Sequence, residues 1–209
     1  MAFVCLMTIG MFTSCDSTSP IKQQENNDFL EENKKQKAVQ DSLLKVQKCD
    51  SLTQIVKKHE KKFKKEKDEF SNKVWVTPIN APKYRNQNGI FCYFLMIDEE
   101  PLIFRLVFQY YSTEWLFIRN IIFNIDGENI VVTQDMERDC GYGGHIWEWF
   151  DAPYDCDMEF IEKLGNAKSV KLKLNGSQYY DTRTLTSKQI QSIKDTYEYY
   201  TALKELKKQ

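Results

Sequence analysis

Histidine is nearly missing from this chain of 209 residues, which holds two of them, His59 and His145. The shortage narrows the catalytic options, because an activated nucleophile needs a base within hydrogen-bond reach. Net charge is missing too: 29 basic residues against 30 acidic ones leave −1, so no overall field points to nucleic acid, and no such partner is expected. The eight glycines form no phosphate loop, since Gly141-Tyr-Gly-Gly144 lacks both the dinucleotide spacing and a following lysine. The apolar run of residues 2–12 is broken by Thr8 and Gly10, and a helix needs about twenty apolar residues to cross a bilayer core of ~30 Å. No cofactor is expected.

Glycine and proline are also absent from Ile21 to Thr77, where Glu, Lys, Gln, Leu and Val dominate. Without a breaker, propensity summed over such a window favours one helix. Acid-before-base pairs at i, i+4 (Glu31 and Lys35, Asp41 and Lys45, Glu60 and Lys64) support it. The expected helix occupies residues 27–73, ending near Ser71, and at 1.5 Å per residue would be roughly 65 to 70 Å long. Val39, Val46, Cys49, Val56, Phe63 and Phe70 fit alternating steps of three and four, with Ser42, Thr53, Glu60 and Lys67 between them. Two readings stand: a half-filled coiled-coil seam that joins copies of the chain, and a solvated single helix serving as a spacer. The lysine-dense stretch Lys57 to Lys67 reads as a solvated helix face, and His59 within it has no second ligand nearby in the sequence.

Composition changes near Val74, and residues 74–209 read as a β-rich globular domain of about seven antiparallel strands. Strands are expected at 74–79, 90–97, 102–111, 115–125, 128–134, 145–150, 169–174 and 177–183, from period-two alternation or short apolar runs. Asp126-Gly127 and Asn175-Gly176 signal tight hairpins, because both central residues of a type I′ turn need positive φ. A short helix is expected over 157–164. A longer one opens at Thr186, whose partner Gln189 completes a capping box. The fold class is therefore α+β: a long helical, coiled-coil-like stalk, then an antiparallel domain with a short and a C-terminal helix. A two-sheet sandwich is the preferred arrangement, and one sheet covered by the last helix is the other.

Six cysteines are present. Cys49, Cys92, Cys140 and Cys156 have no metal-ligand spacing; Cys140 and Cys156 flank one loop-like region and form the candidate disulfide. A thiol and imidazole pair, Cys140 with His145, is the one catalytic alternative. Asp135, Glu137 and Asp139, with Asp151, Asp155 and Asp157, offer hard oxygen ligands but no calcium-loop spacing, and no metal site is assigned. The densest surface candidate is aromatic: Tyr142, His145, Trp147, Trp149, Phe150 and Tyr154. It reads either as a platform for a sugar or protein ligand, or as a strand whose two tryptophans turn into the core.

The apolar leader ends in Phe12-Thr13-Ser14-Cys15, and this quartet resembles the lipobox of bacterial lipoproteins of the kind common in Bacteroidota. The resemblance implies a signal peptide over residues 1–15 and diacylation of Cys15, which becomes the mature N-terminus. Attachment to a lipid bilayer of the cell envelope follows, facing the periplasm or the cell surface. Residues 16–26 are polar apart from Ile21 and read as a flexible tether, since they bury too little to offset their ordering entropy. Together these features suggest a membrane-anchored, non-enzymatic module that displays a binding domain for an unknown protein or glycan. A hydrolase or thiol enzyme using Cys140 and His145, and a structural spacer, are the alternatives.

Overall fold

The computed structural model describes residues 20–208, with side chains from residue 31 onward. Cys15 and the lipobox therefore lie outside the described residues. Two compact units divide at Gln47 and Lys48. The first contains most of helix α1 (Pro20–Glu60), in which the side chains of Val39, Leu43, Leu44 and Val46 are exposed. No helix among the described residues is long and apolar enough to cross a membrane.

In the second unit, α1 ends at Glu60, well before the expected Ser71. Lys61 and Lys62 turn the chain, the Lys62 amide donating to the His59 carbonyl at 2.8 Å, and strand β1 (Phe63–Lys67) begins at once. Nothing local dictates the change. Phe63 packs on Tyr199 and Phe94, ring centroids 5.0 and 6.5 Å away, and the remaining residues of β1 complete the sheet edge beside β2 (Lys73–Pro78). Burial of one phenyl ring and a ladder of backbone bonds outweigh the weak helical preference of a lysine-rich pentapeptide. The supposed coiled-coil position Phe70 lies in the turn after β1 and is exposed.

Ten strands and three α-helices, all strand pairs antiparallel, make an α+β fold among the described residues. β3 (Gly89–Ile97), β4 (Glu100–Ser112), β7 (Glu137–Cys140) and β8 (Ile146–Pro153) join the first two strands in a six-stranded sheet ordered β1-β2-β3-β4-β8-β7. β5 (Asn120–Ile125), β6 (Glu128–Val132), β9 (Val170–Asn175) and β10 (Tyr180–Thr184) form a second sheet ordered β10-β9-β5-β6. Helices α2 (Met158–Asn166) and α3 (Ser187–Leu206) complete the unit. One continuous apolar cluster joins Phe94, Phe104, Phe108 and Phe150 of the first sheet, Ile121, Phe123 and Leu172 of the second, and Phe160, Ile193, Tyr199 and Tyr200 of the helices.

The capping box of α3 forms as expected: Thr186 Oγ accepts the Gln189 amide and the Gln189 side chain accepts the Thr186 amide. Its buried face is wide: Ile190, Ser192, Ile193, Asp195, Thr196, Tyr199 and Tyr200 are buried, and Tyr197 and Leu203 are partly so. The last turns of α1 cover that side, running antiparallel to α3, with His59 beside Asp195 and Glu198 and with Lys48 beside Glu205. Asp126 and Gly127 take φ of +50° and +99°, as a type I′ turn requires. Asn175-Gly176 does not form a two-residue turn. Asn175 instead pairs with Tyr180 across a longer loop, and Gly176 has no positive φ. Glycine is needed there because a Cβ would collide with the Leu116 carbonyl oxygen.

The expected continuous strand over residues 115–125 is also divided. Residues 113–119 carry the chain from β4 in one sheet to β5 in the other, so a simple meander does not form. The crossing is held by Glu148, whose side chain is fully buried. Its Oε1 accepts the amides of Leu116 and Phe117 at 2.9 and 2.8 Å, and its Oε2 accepts Ile118 at 2.8 Å. Arg138 Nε reaches Oε2 at 3.1 Å, and its Nη2 donates to the Ile118 carbonyl at 3.0 Å. Phe117 is thereby held at φ +53°, a conformation that a bulky residue avoids. Glu148→Gln places an amide NH₂ against donors on one side and leaves the Arg138 charge unmatched, so a loss of about 3 kcal/mol is expected. Urea unfolding measures it, and a loss of stability under a tenth of that size would remove Glu148 from this role.

Candidate functional site

Strand alternation decides where the aromatic residues go. On β8, Ile146, Glu148 and Phe150 face the core, and Trp147, Trp149 and Asp151 take the opposite face. The tryptophans therefore do not turn into the main core, and that reading is corrected. On the same outer face, register places Trp149 opposite Gln109 and Asp151 opposite Val107 on β4, whose Val107 and Arg105 in turn face Phe91 and Tyr93 on β3. β7 adds Asp139 opposite Trp147.

These residues, Arg105 excepted, floor a groove of about 630 Å³, walled on one side by Pro82, Lys83, Tyr84, Arg85 and Asn86 of the β2–β3 connection. The Arg85 guanidinium lies 4.1 Å from the centre of the Trp149 ring, within the range of a cation–π contact, and covers that indole. Among the described residues Arg85 makes no ion pair. At one side of the floor, Asp151 accepts the Tyr93 hydroxyl at 2.6 Å and Arg105 Nε at 2.7 Å, and Arg105 also donates to the Asp151 carbonyl. Burial pushes the Tyr93 hydroxyl far above the ordinary phenol range, and its bond to Asp151 pushes the same way. Tyr93 is thus a fixed donor, not a base.

Two other polar atoms in the floor have no hydrogen-bond partner in the protein. Gln109 Oε1 is an acceptor and Trp149 Nε1 a donor; both are buried, on residues paired across adjacent strands. A buried polar group left without a partner costs about 1 to 3 kcal/mol.

The remaining sequence candidates do not gather here. Tyr142 is fully exposed in a short 3₁₀ turn, Tyr142–Gly144. His145 stacks on Tyr111, ring centroids 5.2 Å apart, beside Trp147 but outside the groove. Tyr154 is buried in the core against Phe160, 5.8 Å between centroids, so it is withdrawn as a ligand contact. Cys140 and Cys156 are free and exposed. They lie at opposite ends of β8, Cys140 pairing with Ile146 and Cys156 following Pro153. At 3.3 Å per residue those ends are roughly 25 Å apart, beyond the reach of a disulfide. No hydrogen bond joins Cys140 to His145 among the described residues. The acidic residues disperse as well: Asp139 lines the groove, Asp151 pairs with Arg105, and Asp157 caps α2. Arg85, Tyr93 and Gln109 were missed as site residues because only sheet register unites them with β8.

No family model matches the chain, and a comparison with curated proteins finds no relative. The geometry alone carries the functional argument.

Arg85→Ala uncovers Trp149. The expected result is a red shift in tryptophan emission with a stability change of about 1 kcal/mol or less. Unchanged emission would mean that the guanidinium does not shield the indole.

Proposed function

We propose that this protein is a non-enzymatic lipoprotein of a bacterial envelope. In this reading it is anchored through acylated Cys15, α1 serves as a stalk, and a sandwich-like domain is presented for binding a glycan. The observation that carries the ligand class is the orphaned acceptor and donor, Gln109 Oε1 and Trp149 Nε1, in a floor of aromatic rings. Sugars suit such a floor, since their hydroxyls both donate and accept and their C–H faces stack on rings such as Trp147 and Tyr84. Arg85 and Lys83 add donors for a ring oxygen or an acidic substituent. A peptide ligand is the second reading, since the same wall of Tyr84 and Arg85 suits a protein partner. The exposed Val39, Leu43, Leu44 and Val46 of α1 favour a second copy of the chain as a further partner along the helix.

Isothermal titration with a panel of neutral and uronic-acid oligosaccharides tests the ligand class. One or more should bind, and Trp147→Ala should weaken that binding about tenfold, the equivalent of 1.4 kcal/mol. Absence of binding across the panel would leave the peptide reading in possession of the groove. The anchor is tested separately. Cys15→Ala should move the protein from the membrane to the soluble fraction, because stable attachment depends on more than one acyl chain at that residue; unchanged fractionation would refute acylation.

A further inference from the structure

His59 is a fully enclosed polar side chain at the junction of α1 and α3. Its imidazole is fully buried, yet neither ring nitrogen makes a well-directed hydrogen bond. Two carboxylates stand beside it: Glu198 Oε2 lies 2.9 Å from Nε2, and Asp195 Oδ1 lies 3.5 Å from Nδ1. Asp195 and Glu198 are three residues apart on α3, which puts both on the face turned to α1. One donor atom from each of the three residues lies within 4.8 Å of the others. The next groups outward hold the carboxylates: Lys62 Nζ contacts Asp195 Oδ2 at 2.8 Å, Gln191 donates to Asp195 Oδ1 at 3.0 Å, and Lys194 lies 3.9 Å from Glu198.

From this arrangement we infer a site for a divalent transition metal of the zinc type, coordinated by His59, Asp195 and Glu198. One imidazole nitrogen with two carboxylate oxygens is a borderline donor set that suits zinc better than calcium or magnesium, which take oxygen ligands. Tetrahedral bonds of about 2.0 to 2.2 Å need donors about 3.3 Å apart, so donors that lie within 4.8 Å of one another have to draw together by up to about 1.5 Å, and the carboxylate facing the other ring nitrogen has to swing toward the one that binds. An imidazole nitrogen without its proton offers a lone pair to such an ion. Three protein ligands leave a fourth position for solvent. Asp195 also lines, with Lys62 and Gln191, a cavity of about 530 Å³ beside the cluster. The Lys62 ammonium on the outer oxygen of Asp195 orients that carboxylate as a supporting partner. A bound ion would join the end of α1 to α3 across residues far apart in sequence.

The test uses the purified full chain, stripped with chelator and titrated with Co²⁺ and then Zn²⁺. The expected results are visible absorption bands of four-coordinate Co²⁺ that Zn²⁺ abolishes, one equivalent bound, and a rise in Tm with Zn²⁺. Glu198→Gln, at a partly exposed position that tolerates the change, should weaken binding at least about 100-fold and remove the Tm rise; His59→Asn should do the same. Absence of Co²⁺ bands, or identical binding in Glu198→Gln, would overturn the site and leave His59 as a packing residue.

Discussion

A single buried carboxylate makes the two-sheet arrangement possible. Between β4 and β5 the chain leaves one sheet for the other, and three consecutive amides at Leu116, Phe117 and Ile118 lose their ladder partners on the way. Unpaired amides in a core are costly. Glu148 accepts all three, and Arg138 balances the charge from the neighbouring strand. The strain at Phe117 persists because this network over-determines it.

The same strand connects that core feature to the surface. Alternation on β8 points Glu148 inward and Trp147 and Trp149 outward, so the residue that fixes the crossing also sets the pitch and position of the groove floor. The wall is supplied separately, by a connection whose Arg85 lies over the Trp149 ring. Floor and wall thus have different supports: a six-stranded sheet beneath and a loop beside it.

How far this was legible in the sequence depended on whether local chemistry decided the element. The capping box at Thr186 and Gln189, the Asp126-Gly127 turn, the apolar run of β3 and the period-two alternation of β4 were readable, since each is written in residues close to one another. β1 was not. Its Lys-Lys-Glu-Lys stretch has helical character, and only the distant Tyr199 and Phe94 recruit Phe63. β7 was missed because all four residues are exposed and carry no apolar alternation. Asn175-Gly176 misled for a different reason: its glycine answers to the approach of Leu116, not to a turn. In the site, Trp147 and Trp149 were legible as an aromatic cluster. Gln109, Tyr93 and Arg85 were not, since their proximity comes from pairing across strands and a loop. His59 was set aside because its neighbours lie on another helix, more than a hundred residues away.

The two-residue link between α1 and β1 has a mechanical side. With no slack between Glu60 and Phe63, a pull along the last turns of α1 reaches the six-stranded sheet first at its edge, where Phe63 is wedged against Tyr199 and β1 bonds to β2. Resistance to such a load comes from one aromatic plug and one peripheral hairpin. Under tension that hairpin would be the part to yield, and since β2 also holds one end of the connection that walls the groove, the load would reach the wall before the floor strands β4 and β8.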